Sequence, residues 1–200
     1  MSAASTTVAI LAGGAATRLD GRDKGLQALG SRPLIGWVVD ALAAMRSDVP
    51  FAGILIVANR HLREYAHYAI TIRDDADGFR GPLAGVAAAL RACSSPWLLT
   101  LPVDCPRPPS DLHGRLSDAA RHGDDGAVVA HDGARRQPLF ALYRRELAGS
   151  AAAAVEAGQG VWQWQTSIGA RELDFSDRHR QFQNLNTPQE FAAYAAEHEL

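Results

Sequence analysis

Residues 8–25 read VAILAGGAATRLDGRDKG, a short apolar run followed by a glycine-rich, charged loop. The apolar run has the length and composition of a buried strand. Gly13 and Gly14 remove side chains directly after it, so that backbone N–H groups can approach an anion. Arg18 and Lys24 add mobile positive charge over the same place. The stretch therefore predicts a strand that ends in a cradle for a triphosphate. It is not a P-loop or a dinucleotide-binding fingerprint, because the further residues of those motifs are missing.

Lys24 is the single lysine among the 20 basic residues of the chain. A general replacement of lysine by arginine explains why lysine is scarce elsewhere. A compact ammonium differs from a planar guanidinium where a phosphate must be met by a point charge. We therefore predict that Lys24 is an active-site cation.

The composition describes one globular domain. The 200 residues are 47% hydrophobic and 21% charged, with a formal net charge of −2, enough for a substantial core without metal or disulfide staples. No basic run suggests nucleic-acid binding. Two cysteines, and an N-terminus without the charge and apolar pattern of a secretion signal, predict a cytoplasmic, soluble protein with no membrane partner.

Strand-like and helix-like segments alternate along the chain, which predicts an α/β fold with a largely parallel sheet. The predicted strands cover residues 7–11, 53–58, 69–73, 96–101, 127–131 and 138–143. The predicted helices cover residues 34–45, 62–68, 83–93 and 111–121, with a last helix that begins at Thr187-Pro188-Gln189-Glu190. In such sheets ligands bind beyond the carboxyl ends of the strands.

Asp104 follows one of these strands, in the sequence LTLPVDCP of residues 99–106. A carboxylate pinned between two prolines is a hard oxygen ligand, and Mg²⁺ binds through one or two carboxylates plus substrate phosphate oxygens. Asp104 is thus the predicted metal ligand. The alternative is that it caps or stiffens the proline-rich turn.

Three further groups follow strands or precede helices. Asp74 could touch a nucleotide, although it also fits an ordinary acidic turn. Gly81-Pro82-Leu83-Ala84-Gly85 opens a helix whose free N–H groups could bind a second anion. Asn184 and Asn186 offer amides to a heterocycle, or cap the last helix.

The scattered histidines, His113 among them, are interpreted as surface or helix-end residues, and Trp162 and Trp164 as packing residues.

Taken in order, these motifs resemble the molybdenum cofactor guanylyltransferase (MobA) family over residues 8–191. The resemblance rests on the glycine-rich loop with Asp23-Lys24-Gly25, the Pro-x-Asp turn, Gly-Pro-Leu-Ala-Gly and Asn-Leu-Asn-Thr-Pro. It implies a single-domain, three-layer α/β/α Rossmann-like nucleotidyltransferase fold. Its nucleotide-binding part would cover about residues 6–110, and its acceptor-binding part about residues 111–200.

The resemblance also implies an activity: transfer of GMP from GTP to the phosphate of molybdopterin, with Mg²⁺ as cofactor and pyrophosphate as the other product. The implied catalytic residues are Lys24, Arg18 and Asp104, and the implied metal ligand is Asp104. The implied nucleotide-binding residues are Leu11, Ala12, Gly13, Gly14, Lys24, Asp74 and Asp104. The implied acceptor-binding residues are Gly81, Pro82, Leu83, Gly85, Asn184 and Asn186. Cofactor-insertion proteins and target molybdoenzymes are further implied partners, and a monomer is expected.

Two positions depart from the family pattern. Asp20 stands where the family commonly has glycine, and Val57 stands where some members have an asparagine that contacts the nucleotide. Other functions stay open from the sequence: a cytidylyltransferase on the same pterin, a nucleotidyltransferase for another small phosphate, or an inactive nucleotide-binding adaptor. Cytidylyltransferase relatives tend to carry Ala-Ala-Gly in the first loop, so Ala12-Gly13-Gly14 favours guanine.

Overall fold

A computed structural model describes residues 5–13, 23–74, 81–123 and 125–200. Within them, seven strands form one sheet in the order β5-β4-β1-β6-β8-β7-β9, and β2 and β3 form a small separate hairpin. The strands are β1 (Thr6–Leu11), β2 (Ala28–Leu29), β3 (Arg32–Pro33), β4 (Phe51–Val57), β5 (Ile70–Ile72), β6 (Trp97–Pro102), β7 (Ala127–His131), β8 (Arg136–Arg144) and β9 (Arg171–Asp174).

The sheet is mostly parallel, as the alternating sequence pattern predicts. β1 pairs in parallel with both β4 and β6, β4 with β5, and β7 with β9. β8 runs antiparallel to β6 and β7. The reason is its short connection from β7, since a few residues suffice for a hairpin but not for a parallel crossover. In that connection the carboxylate of Asp132 accepts hydrogen bonds from the amides of Ala134 and Arg135, both at 2.8 Å.

Helices cover both faces of the sheet and complete the predicted three-layer α/β/α architecture. They are α1 (Leu34–Ala43), α2 (Leu62–Tyr65), α3 (Pro82–Ala92), α4 (Leu112–His122), α5 (Ala148–Glu156), α6 (Val161–Ser167) and α7 (Pro188–Glu197). The core cluster on one face includes residues of α1, α2 and α4, whereas that on the other includes residues of α3, α5 and α6. Successive strand residues alternate between the two clusters: Val8 and Ile10 belong to the first and Ala9 to the second.

The last helix closes the molecule against the β2–β3 hairpin. Thr187 and Glu190 form the predicted capping box: the Thr187 hydroxyl accepts from the Glu190 amide at 3.2 Å, and a Glu190 carboxylate oxygen accepts from the Thr187 amide at 2.9 Å. Phe191 and Tyr194 then bury their rings with Leu29 and Leu34 in a small cluster of their own. The C-terminal segment is thereby fixed beside the start of α1.

Several features differ from the sequence-based expectation. The β2–β3 hairpin, α5, α6 and β9 were not predicted. His113 is not a surface residue: it is fully buried near the start of α4, where its Nε2 lies 3.0 Å from the Thr6 hydroxyl. None of the helices in the described ranges is long and apolar enough to cross a membrane.

Candidate active site

Four neighbouring parallel strands bring their carboxyl ends to one edge of the sheet. β5, β4, β1 and β6 end at Ile72, Val57, Leu11 and Pro102. Backbone pairing continues just past these ends: the Ala12 amide donates to the Val57 carbonyl at 2.8 Å, and the Val103 amide to the Leu11 carbonyl at 3.1 Å. The loops after the four strands are therefore held side by side, where ligands bind in open α/β sheets.

Lys24 reaches this edge from a single 3₁₀ turn, Lys24–Leu26. Its ammonium donates to a carboxylate oxygen of Asp104 at 3.0 Å and to the amide oxygen of Asn186 at 2.7 Å. The Lys24 and Asp104 side chains are 28% and 17% exposed, so both are largely covered yet still accessible to a ligand. Two of the predicted catalytic residues thus meet, and Asn186, which the resemblance places on the acceptor side, meets them.

Asp104 has one carboxylate oxygen to spare. Its Oδ2 binds Lys24, whereas its Oδ1 is buried and has no hydrogen-bond partner among the described residues. An unpaired buried carboxylate oxygen is costly and is normally matched by a donor or a cation. The main-chain carbonyl of Asp104 accepts a hydrogen bond from the Leu185 amide at 2.8 Å. This bond joins the Pro-x-Asp turn to the C-terminal Asn-x-Asn segment.

The spare oxygen fits a divalent cation. Among the described residues no group of three or more His, Cys, Asp or Glu side chains could hold a metal by itself. Mg²⁺ does not need such a group, because it usually takes one or two protein carboxylates and completes its shell with water and substrate phosphate oxygens. Asp104 is the described residue that fits this role.

Asp74 is held by a partner that the sequence analysis did not select. The side-chain amide of Asn59 donates to Asp74 Oδ2 at 2.9 Å, and its carbonyl oxygen accepts from the Asp74 main-chain amide at 3.2 Å. Gly13 lies against both, since a Cβ built on it would be 3.7 Å from each side chain. Val57 is buried at the end of β4, so Asn59 supplies the amide at this edge. The sequence gives only a weak signal for Asn59, its position two residues after the end of β4.

The predicted acceptor residues fall into two groups. Gly81 precedes α3 with φ of +73°, a conformation that suits glycine, and Pro82 occupies the first turn. Gly85 packs on the first strand, because a Cβ on it would lie 3.3 Å from Leu11 Cδ2. Leu83 is buried in the core, so its side chain serves packing.

The second group is Asn184 with Asn186. The side-chain oxygen of Asn184 is buried and has no partner within the described residues, while its main-chain carbonyl lies 3.5 Å from Asn186 Nδ2. An unmatched buried amide oxygen is available to a ligand's donor. Gly14, Arg18 and Asp20 lie outside the described residues.

A cavity of about 800 Å³ lies further along the same edge, beyond β6. It begins at Gln183, next to Asn184, and at Arg107, three residues after Asp104. None of the predicted site residues lines it. The lining residues are Arg107, Pro108, Ser110, Asp132, Ala134, Arg135, His179, Arg180, Gln181, Phe182, Gln183, Tyr194, Glu197 and His198.

Asp132 keeps its charge at the back of this cavity. Burial alone would raise its pKa, but hydrogen bonds from the Arg135 and Ala134 amides and the Gln137 side chain lower the pKa below its ordinary value. The Asp132 carboxylate therefore has its hydrogen-bond donors in its own turn and in β8.

Residues 8–172 match the model of the MobA-like NTP transferase domain. The chain belongs to this family. The MobA-like chain is 38% identical over 190 residues to the molybdenum cofactor guanylyltransferase of Vibrio vulnificus, an alignment that covers 94% of each protein. It is also 38% identical over 183 residues to the enzyme of that name from Shewanella loihica, covering 90% of this chain and 91% of the relative. The resemblance found in the sequence motifs is confirmed.

Solved structures support the same fold. The molybdopterin-guanine dinucleotide biosynthesis protein A of Archaeoglobus fulgidus superposes on the MobA-like chain with a TM-score of 0.77 at 20% identity, covering 96% of this chain and 98% of that one. The 2-C-methyl-D-erythritol 4-phosphate cytidylyltransferase of Thermus thermophilus gives a TM-score of 0.68 at 18% identity, with coverages of 96% and 98%. The Rossmann-like nucleotidyltransferase fold is thus confirmed.

Proposed function

We propose that this protein is a molybdenum cofactor guanylyltransferase: it transfers GMP from GTP to the phosphate of molybdopterin and releases pyrophosphate. The observation that carries the proposal is the meeting of Lys24, Asp104 and Asn186 at the carboxyl edge of the sheet. The curated relatives that bear this activity in their names match nearly the whole chain.

The nucleotide is assigned to the β1, β4 and β5 side of this edge. Leu11, Ala12, Gly13 and Gly14 would line the guanine and the phosphates. Asn59 orients Asp74, whose carboxylate accepts hydrogen bonds from the nucleoside. The small residues Ala12 and Gly13 leave room for the backbone to contact the ligand closely.

Transfer of GMP to a phosphate depends on positioning and on positive charge more than on a general base. The acceptor phosphate is already anionic at neutral pH, so one of its oxygens forms a bond to the α-phosphorus of GTP while the bond between that phosphorus and the bridging oxygen to the β-phosphate breaks. The electron pair of the broken bond leaves with pyrophosphate. Lys24 offsets that growing charge, and Arg18 is proposed as a second cation. No catalytic histidine is required.

Asp104 would hold Mg²⁺ through the carboxylate oxygen that Lys24 leaves unbound. A bound Mg²⁺ supplies charge neutralisation and orientation of phosphate oxygens. Lys24 contributes to the same end from the protein side, and by binding Asp104 it also orients the carboxylate.

The acceptor is assigned to the other side of Asp104. Asn184 follows Gln183, which lines the cavity beyond β6, and Asn186 contacts Lys24. The other proposed acceptor residues, Gly81, Pro82 and Gly85, lie at the start of α3. Most of the cavity lining comes from the second half of the chain, which supports the proposed division into a nucleotide-binding part at about residues 6–110 and an acceptor-binding part at about residues 111–200. The cytoplasmic location and the monomeric state stay predictions from the sequence.

The test is a panel of nucleoside triphosphates, each labelled at the α-phosphate, with purified molybdopterin and Mg²⁺. We expect label from GTP to enter the pterin product together with release of unlabelled pyrophosphate. The same panel without metal, or with Ca²⁺, tests the cofactor assignment. Preference for CTP, or no transfer with any nucleotide, would refute the proposal.

A further inference from the structure

Tyr65 is a buried residue that contacts the Lys24 turn without reaching the site itself. It ends α2 with a side chain that is fully buried. Its hydroxyl donates a hydrogen bond to Oδ1 of Asp23. Burial, with the nearby Asp23 charge adding to it, raises the pKa of Tyr65 well above its ordinary value, so the hydroxyl stays a donor.

Asp23 uses the same oxygen to begin the 3₁₀ turn. Its Oδ1 accepts from the Gly25 amide at 3.1 Å, the capping arrangement in which a side chain satisfies a free N–H group. The carboxylate next in sequence to Lys24 is therefore bound to Tyr65 and Gly25.

Gly25 is enclosed by the side chains of Tyr65 and Val103, so only a glycine fits at this position. A Cβ on it would clash with the Tyr65 hydroxyl oxygen and would lie 2.9 Å from Val103 Cγ2. The backbone on the carboxyl side of Lys24 thus passes between Tyr65 and the residue that precedes Asp104. Through this packing the position of the Lys24 backbone is tied to that of the Asp104 turn.

We propose that Tyr65 and Asp23 are positioning residues for the transfer reaction, which hold the Lys24 turn so that the ammonium reaches Asp104, Asn186 and the phosphates of the nucleotide. The inference rests on the proposed function. Each residue of Asp23-Lys24-Gly25 then has its own role: Asp23 caps the turn, Lys24 binds the phosphates, and Gly25 leaves space for the Tyr65 side chain.

The experiment is a double-mutant cycle on the full-length protein. Tyr65→Phe removes the hydroxyl and keeps the packed ring, and Lys24→Ala removes the group that is positioned. Two quantities are measured for the wild type, the single variants and the double variant: the single-turnover rate of GMP transfer, and the affinity for Mg²⁺-GTP by calorimetry. Asp23→Asn is a second variant at the same contact.

A matched control is Tyr143→Phe. Tyr143 is also fully buried and its hydroxyl accepts from the Gln165 side chain at 2.6 Å, but it lies in the core cluster on the opposite face of the sheet. Its loss should lower the melting temperature and leave the transfer rate unchanged.

We expect Tyr65→Phe to slow single-turnover transfer about tenfold or more, the size expected for one hydrogen bond to a charged group, and to change the rate no further when Lys24 is already alanine. A wild-type rate in Tyr65→Phe, or an equal slowing in the Lys24→Ala background, would overturn the inference. If the wild type itself transfers nothing from GTP, the proposed function fails, and the same cycle in Mg²⁺-GTP affinity then decides for or against the positioning role.

Discussion

The amide oxygen of Asn186 accepts a hydrogen bond from the Lys24 ammonium at 2.7 Å, across 162 positions of sequence. Two main-chain hydrogen bonds hold the segment that carries Asn186. The Leu185 main-chain amide donates to the Asp104 carbonyl, and the Asn186 main-chain amide donates to the Glu190 carboxylate at 2.5 Å. The C-terminal segment therefore forms part of the wall of the site that the first loop opens.

Asn186→Ala should lower kcat/KM for GTP about tenfold or more, because the ammonium loses one of its two anchors and hydrogen bonds to charged groups contribute about 1.5–3 kcal/mol. Steady-state kinetics with GTP as the varied substrate measure this. Gln189→Ala, an exposed change at the start of α7, is the control and should behave as wild type. Equal kinetics in the two variants would remove Asn186 from the site.

Asn59→Ala should raise KM for GTP about tenfold with a smaller change in kcat. Asp74 loses the amide that orients its carboxylate, and one such bond corresponds to about 1.4 kcal/mol of binding. Arg63→Ala, on the exposed side of α2, serves as the comparison. An unchanged KM in Asn59→Ala would show that the Asn59–Asp74 pair does not serve the nucleotide.

Gly85→Val should destabilise the fold by about 1–3 kcal/mol, since its side chain would press on Leu11 at the end of β1. Gly149→Ala provides the opposite case: nothing lies within 4 Å of a Cβ there, in helix α5, and we expect a gain of about 0.5 kcal/mol. Chemical denaturation of both variants checks the pair. A stable Gly85→Val protein would mean that α3 can move away from β1.

His113 should make the fold sensitive to acid. Burial, with Arg121 nearby, lowers the pKa of His113 to about 4, below the unfolded value of about 6.5. Its contribution is complete above pH 6.5 and is lost as the pH falls toward 4, by about 1.4 kcal/mol per unit. The unfolding free energy at pH 7 and pH 5 should therefore differ less in His113→Phe than in the wild type. An equal difference in both would place the acid sensitivity elsewhere.

The sequence predicted well what local pattern controls. Apolar runs such as residues 7–11 and 127–131 are strands, Pro82 begins a helix, and Thr187 and Glu190 form their capping box. Because parallel strands end at one edge, the nearness of Lys24 and Asp104 could also be expected from the fold.

What depends on contacts between distant residues could not be predicted. Asn59 looks like any loop asparagine until β4 and β5 pair and bring Asp74 beside it. Helix α5 is rich in alanine and carries little hydrophobic periodicity. His113 has no signal of burial in its own segment, because Phe51 and Thr6, which contact it in helix α4, belong to the distant strands β4 and β1.

The most direct measurement is single-turnover transfer of GMP to molybdopterin by Lys24→Ala, with Lys24→Arg beside it to keep the charge and change its shape. We expect Lys24→Ala to transfer GMP at least about 100-fold more slowly than the wild type, the loss typical of a preorganised charge stabiliser. We expect arginine to restore only part of that rate, because a planar guanidinium does not replace a compact ammonium between Asp104, Asn186 and a phosphate. A near-normal rate in Lys24→Ala would contradict the account.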